Sequence, residues 1–326
     1  MNVLSLFDGI GGAKIALDSL KINYKKYFSS EIDKYALKVL NDNHKDIIHL
    51  GNISNIKVES LPKIDLLIGG SPCQDLSNAQ NGKGLKGKNS ILFYEYLRIL
   101  NQVKPRYFVL ENVKNKWGNL MSKIVGIDFI EINSKYFSGQ NRPRYYWTNL
   151  PIDLNQLPLK PKNTVIKDII EDNPEEKYFL DDSVSKKIIK QIKYENDNNN
   201  NRAINKIITA KKNIIKDNER QRRIYNINGK SPTLLARSDT PKILINNRIR
   251  KLTPLECERL QGLPDYYTSS CSDTQRYKMI GNGFTTGVIS FILSHLGKKP
   301  IKRNPTYDIN GFQDYNVKQL EIYVKN

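Results

Sequence analysis

At 326 residues the chain is long enough to bury a sizeable core, as one large domain or as two of ordinary size. Lys and Arg number 52 against 33 Asp and Glu, and the formal charge of +19 favours a polyanionic partner, because each cation set on a phosphate releases counterions. Three cysteines (Cys73, Cys257 and Cys271), three histidines and no Cys-x-x-Cys pair argue against a disulfide framework and against a zinc site. Part of the basic bias is compositional, since Asn, Ile and Lys cluster together in NKIITAKKNIIKDN at 205–218. The opening MNVLSLFDGIGG has no basic stretch ahead of an apolar one, and no run reaches the ~18 apolar residues of a membrane span. A soluble protein in a reducing, cytoplasmic setting is expected.

Residues 1–150 alternate short apolar runs with helical spacing, the pattern of a parallel sheet flanked by helices. Strands are expected at Asn2–Phe7, Tyr27–Glu31, Asp65–Ile68, Tyr107–Glu111, Phe129–Asn133 and Tyr145–Thr148, and helices at Ala13–Leu20, Lys34–Asn41 and Leu92–Gln102. This half reads as doubly wound α/β. From Pro151 the character changes: prolines stand at 151, 158 and 161, and the polar tract NDNNNN at 196–201 has nothing to bury and reads as a surface excursion. Alternation resumes in RIYNINGKSPTLLAR, with strands around an Asn228-Gly229 turn. In RKLTPLECERLQGLPD, Thr253 is placed to cap a helix, with Pro254 at its first position and Glu256 as the reciprocal capping partner.

The first strand runs into Asp8-Gly9-Ile10-Gly11-Gly12 and then a helix, which brings backbone close to a ligand at the carboxyl edge of the sheet. The spacing is not Gly-x-Gly-x-x-Gly, so it argues against a dinucleotide pyrophosphate. Glu31 ends the second strand, where a carboxylate can accept from ribose hydroxyls or simply be solvated. The third strand ends in Gly69-Gly70-Ser71-Pro72-Cys73-Gln74, a cysteine on a Gly/Pro turn at the edge where α/β enzymes place ligands. Cys257 and Cys271 lack such a turn and read as small buried hydrophobes. Glu111 ends the next strand at the same edge, and if the two strands are neighbours Cys73 and Glu111 face one pocket. Gln140-Asn141-Arg142-Pro143-Arg144 can deliver two guanidiniums, suited to phosphate or base oxygens, or can be a solvated basic turn.

SLFDGIGG, GGSPCQ, LENV, QNRPR, RKLTPLECERLQGLPD and QRYKMIGNGF occur in the order found in the DNA (cytosine-5) methyltransferases, and the chain resembles a phage or bacterial member over about residues 1–150 and 248–295. The resemblance implies a Rossmann-like S-adenosylmethionine-dependent methyltransferase fold acting on double-stranded DNA, monomeric and without a metal. It implies a catalytic and cofactor-binding domain of residues 1–155 plus 272–300, a target-recognition domain of 156–271, and a C-terminal segment, 301–326, without an assigned role. Phe7, Asp8, Gly9, Ile10, Gly12, Ile53, Pro72 and Asn282 would line S-adenosylmethionine, Glu31 its ribose and Ile32 its adenine. Asn52 would accept from the adenine amino group, although the family usually has Gly-Asp where this chain has Gly51-Asn52. Cys73 would be the nucleophile, Glu111 would engage the cytosine ring edge, Arg144 would contact the base, and Arg142 would order the catalytic loop. Gln74, Ser77, Gln140, Ser231 and Arg237 would face DNA, and the Gly- and Lys-rich loop Asn78–Asn89 would close over the base.

These residue types belong to one chemistry. Cytosine C5 is a poor nucleophile until a thiolate adds to C6 with acid assistance at N3, and the base must leave the stack to be reached. Two alternatives stay open on the sequence: an RNA methyltransferase sharing the Pro-Cys-Gln and Glu-Asn-Val blocks, and an inactive DNA-binding homologue.

Overall fold

The computed structural model describes residues 1–72, 91–158, 160–195 and 206–305. In chain order the first part contains β1 (Asn2–Leu6), α1 (Gly12–Ser19), β2 (Lys26–Ser30), α2 (Lys34–Asn43), β3 (Ile47–His49) and β4 (Leu66–Gly70). It continues with α3 (Ile91–Val103), β5 (Tyr107–Val113), α4 (Gly118–Val125), β6 (Ile130–Asn133), the two-residue β7 (Gln140–Asn141) and β8 (Pro143–Thr148). Seven strands form one sheet in the order β3-β2-β1-β4-β5-β8-β6, in which only β8 runs against its neighbours.

Helices cover both faces, so the central strands are continuously apolar: Val3, Leu4, Leu6, Leu66, Leu67, Ile68, Val109 and Leu110 are all fully buried. The chain winds from β1 outward through β2 and β3, then returns to β4 and β5 on the other side of β1. That reversal opens a crevice at the carboxyl ends of β1 and β4, the place where doubly wound sheets bind ligands. Three elements go beyond the expected set. β3 has only three residues, two of them exposed, β7 has two, and α4 opens on Gly118, so none carries a long periodic signal.

A second sheet, in the order β13-β12-β10-β9, contains β9 (Lys206–Thr209), β10 (Arg223–Asn226), β12 (Lys242–Ile245) and β13 (Arg248–Lys251), while β11 (Ser231–Pro232) pairs in parallel with β7. The helix α5 (Asp182–Glu195) packs on it, and Ile188, Ile208, Ala210, Ile224 and Ile249 form its small core. Three further helices follow: α6 (Pro254–Gln261), α7 (Asp273–Asn282) and α8 (Thr286–Leu293). α8 lies against α1 and adds Val288, Ile289, Ile292 and Leu293 to the core beneath the first sheet. The polar tract 196–201 lies outside the described residues, as does 306–326 of the C-terminal segment.

The Thr253 cap forms as its sequence implies. The Thr253 Oγ1 accepts from the Glu256 amide at 3.2 Å, and Glu256 Oε2 accepts from the Thr253 amide at 2.8 Å. The same carboxylate takes both arms of Arg250, at 2.8 and 2.6 Å, and both side chains are out of solvent. Removing one partner of such a pair strands a buried charge. Glu256→Ala is therefore expected to lower unfolding stability by about 3–5 kcal/mol, measured by urea denaturation, and a loss below ~1 kcal/mol would contradict this role.

Candidate active site

At the end of β1 the backbone turns sharply. Phe7 sits at φ 54°, unusual for a residue with a side chain, and Gly9 and Gly11 follow at 59° and 78°. Asp8 is 4% exposed and holds this turn from below, accepting from Ser5 Oγ at 2.6 Å and Tyr27 OH at 2.9 Å. Burial pushes its carboxyl above the usual range, against those hydrogen bonds. Its side chain thus supports the ligand loop instead of lining it. Glu31 closes the other side: its carboxylate accepts from the amides of Gly9 at 2.8 Å, Ile32 at 2.7 Å and Asp33 at 2.8 Å. A carboxylate has about four lone-pair sites, so capacity remains for a hydroxyl donor. Beside it the Ile32 side chain is 70% exposed.

Asn52 uses its Oδ1 to cap the short 3-10 turn that begins at Ile53, accepting from the Ser54 amide at 3.0 Å. Ile53 itself is buried in the core under the first sheet, so its side chain is not a lining group. Asn282 is exposed at the end of α7, and the next two residues lead to Phe284. The Phe284 ring approaches both edges of the crevice, 3.5 Å from a Cβ built on Gly12 and 3.0 Å from one built on Gly70.

The ends of β4 and β5 meet in register, with Gly70 opposite Glu111. A Cβ on Gly70 would lie 2.9 Å from Glu111 Oε2, so the carboxylate reaches over a backbone that only glycine leaves open. Arg144, two residues into β8, sets its Nε 2.9 Å from Glu111 Oε1, with side chains 11% and 14% exposed. Asn112 Nδ2 donates to Ser71 O at 3.2 Å and Oγ at 3.0 Å, fixing the turn that enters Pro72. Cys73, Gln74, Ser77 and the loop Asn78–Asn89 lie outside the described residues.

Two residues expected at DNA are interior. Gln140 is fully buried, donating to Gln261 Oε1 at 3.2 Å and accepting from the Leu234 amide at 2.9 Å, and Ser231 is fully buried in β11. They join the two sheets, so their side chains do not reach a DNA surface. Arg142 is also interior, donating to the carbonyls of Leu234 at 3.0 Å, Gly281 at 3.0 Å and Gly283 at 3.1 Å. Arg237 is more than half exposed, with its Nε 2.9 Å from Asp239 Oδ1. Cys257 is buried, which pushes its thiol well up and keeps it unreactive. Phe284, Asn112 and Gly281 were not singled out from the sequence. Their signal was adjacency, since two flank Asn282 closely and the third follows Glu111. Among the described residues no group of three or more His, Cys, Asp or Glu could hold a metal ion, and no helix is long and apolar enough to cross a membrane.

Residues 1–126 and 130–298 match the C-5 cytosine-specific DNA methylase family. The chain belongs to that family. It is a DNA (cytosine-5) methyltransferase, and its doubly wound α/β sheet is the Rossmann-like methyltransferase fold. A type II methyltransferase of Neisseria lactamica, M.NlaX, is 30% identical over 90% of this chain and 95% of its own length. M.HhaI of Haemophilus parahaemolyticus is 29% identical over 91% and 94%. Among solved structures, the Entamoeba histolytica methyltransferase EhMeth superposes with a TM-score of 0.66 at 19% identity, covering 91% of this chain and 99% of that one. The S. pombe Dnmt2 methyltransferase follows with 0.63 at 18%, over 91% and 100%, and at these identities the likeness shows the fold.

In this methyltransferase Gly281 of α7 packs directly on the segment that follows β11, because a Cβ there would fall 2.1 Å from the Leu235 carbonyl oxygen, backbone against backbone. Gly281→Ala must displace Leu235 and the Arg142 contacts around it. The expected result is a stability loss of about 1–3 kcal/mol by thermal unfolding, with a reduced initial rate of DNA methylation. Wild-type values for both would show that the contact is dispensable.

Proposed function

We propose that the enzyme transfers a methyl group from S-adenosylmethionine to C5 of a cytosine turned out of duplex DNA, through a transient bond between Cys73 and C6. The observation that carries this is the meeting of Glu111, Arg144 and Gly70 at one strand edge, three residues ahead of Cys73 in the chain. In that scheme the Cys73 thiolate adds to C6. Glu111, oriented by Arg144, meets the N3 and N4 edge of the ring and takes part in the acid assistance that draws electrons from C6 toward C5. When bound, S-adenosylmethionine would supply an electrophilic methyl to the enamine-like C5 and leave as S-adenosylhomocysteine. Loss of the C5 proton to a base then returns the electron pair that expels the Cys73 thiolate.

The cofactor fits the crevice beside β1. Glu31 is held by three amides with acceptor capacity to spare, suited to ribose hydroxyls, and the uncovered Ile32 offers an apolar platform for adenine. Phe7, Gly9, Gly12, Pro72 and Asn282 complete its surroundings, while Ile10, 2% exposed, packs in the core and supports them from within, and Asn52 would meet the adenine edge with the amide that its cap leaves over. Residues 1–155 with 272–300 form the catalytic part in this proposal and 156–271 the part that recognises duplex DNA, in the cytoplasm of a bacterium or infected host. The packing of α8 on α1 supports the return of the chain to the first part.

Incubation with methyl-tritiated S-adenosylmethionine, followed by nuclease digestion, tests the scheme. Label is expected in 5-methyldeoxycytidine from duplex DNA and not in tRNA, with Cys73→Ala inactive and Glu111→Gln slower by roughly 10²–10⁴-fold. Label in tRNA alone, or full activity of Cys73→Ala, would overturn it.

A further inference from the structure

A shallow polar groove opens at the second sheet, between the 3-10 turn Glu219–Arg222 and the segment from Pro232 to Lys242. Arg220, Arg223, Tyr225, Thr233 and Asp239 line it. Most cations here are already engaged. Arg223 grips Glu219 through Nε at 3.0 Å and Nη2 at 2.5 Å, Arg222 Nη1 donates to Ala210 O at 2.5 Å, and Lys242 Nζ donates to Gln221 O at 2.8 Å.

Arg220 differs. Its Nη2 donates to Thr233 O at 3.0 Å, which aims the guanidinium across the groove, and among the described residues it has no carboxylate partner. Thr233 is itself fixed, its Oγ1 donating to Asn141 O at 2.8 Å beside the Arg142–Arg144 turn. Desolvation above all lowers the pKa of Arg220, with Tyr225 and Asp239 opposing it and the like charges of Arg223 and Arg144 adding to it, so the active-site arginine and the Asp239 carboxylate are both near enough to be felt. A guanidinium has five N–H donors in a rigid fork, and most of this one remain unused.

Asp239 is the complementary case. Both of its carboxylate oxygens are out of solvent and accept no hydrogen bond, although Arg237 Nε stands 2.9 Å from Oδ1 at an angle that makes none. A buried acceptor left in that state is costly until a donor arrives. The groove therefore offers a donor fork beside a carboxylate that is ion-paired with Arg237 but accepts no hydrogen bond.

In the DNA major groove a G·C pair presents two acceptors, guanine N7 and O6, followed by one donor, the cytosine N4 amino group. An A·T pair presents acceptor, donor, acceptor, which sets the adenine amino group against a guanidinium. We propose that Arg220 and Asp239 together read one G·C pair of the recognised sequence, Arg220 donating to guanine O6 and N7 and Asp239 accepting from N4 of the paired cytosine. This rests on the recognition role proposed for residues 156–271.

The test uses the full chain and a library of duplexes randomised around a central cytosine, methylated to completion or for a limited time and scored by bisulfite sequencing. The wild type is expected to require a G·C pair at one or more positions. Arg220→Ala should relax the preference at one of them by roughly 5- to 150-fold while leaving the others intact. Asp239→Asn, which keeps its shape, should relax the same position. Arg220→Lys should not restore it, because an ammonium lacks the fork. Relaxation of two different positions would overturn the shared pair. If Arg220→Ala instead weakens binding alike on all sequences, lowers the salt slope by about 1 and is rescued by Arg220→Lys, the residue is a phosphate contact and the proposal falls. A wild type that methylates no duplex at all would bring down the parent reading instead.

Discussion

The pairing of Gly70 with Glu111 across parallel strands β4 and β5 sets the geometry on which the site depends. Register in a sheet has no intermediate settings, because a slip of one residue turns every side chain to the other face. With Gly70 in place, the Glu111 carboxylate can lean over bare backbone toward the turn that leaves β4, and Arg144 meets it from β8 at 2.9 Å. A larger residue at 70 would displace the carboxylate or Phe284, which lies 3.0 Å from the same point. The apolar runs of β1, β4 and β5 enforce that register from the core outward.

The second constraint is the joint between the two sheets. Arg142 occupies it with a guanidinium that is 3% exposed and bonded to three carbonyls, two of them at the end of α7. Helix carboxyl ends carry partial negative charge, so a cation is favoured there. Gln140 and Gln261 add hydrogen bonds between the same segments. The turn that leads into the strand carrying Arg144 thus also anchors the segment leading to Arg237 and Asp239. Catalytic geometry and the groove at Arg220 are mechanically connected through one short turn, Gln140–Arg144.

Much of the first sheet was legible because its strands are buried on both faces and separated by helical spacing. The turn glycines, Glu31 and Glu111 announced their edge by position alone, and the Thr253 box has a signature that depends on local spacing. The remainder depends on long-range contact. Nothing in QNRPR says that Gln140 and Arg142 point inward while Arg144 points to Glu111, since all three are polar residues in one turn and only the packing of residues 234 and 281 divides them. Asp8 had a ligand-facing place in the motif, yet its neighbours Ser5 and Tyr27 draw it under the loop. Arg220 was hidden among several basic residues. Its distinction is that it alone of the cations lining the groove is exposed, which is a property of the fold rather than of the sequence.

The central claim is that the chemistry passes through Cys73. DNA bearing 5-fluorocytosine at the recognised position tests it, because fluorine cannot leave as a positive ion and the elimination that frees the enzyme is blocked after methyl transfer. The account predicts a complex that survives denaturing electrophoresis and, after digestion, a Cys73 peptide carrying the methylated fluoropyrimidine. A trapped complex with Cys73→Ala, or an adduct mapped to Cys271, would contradict it.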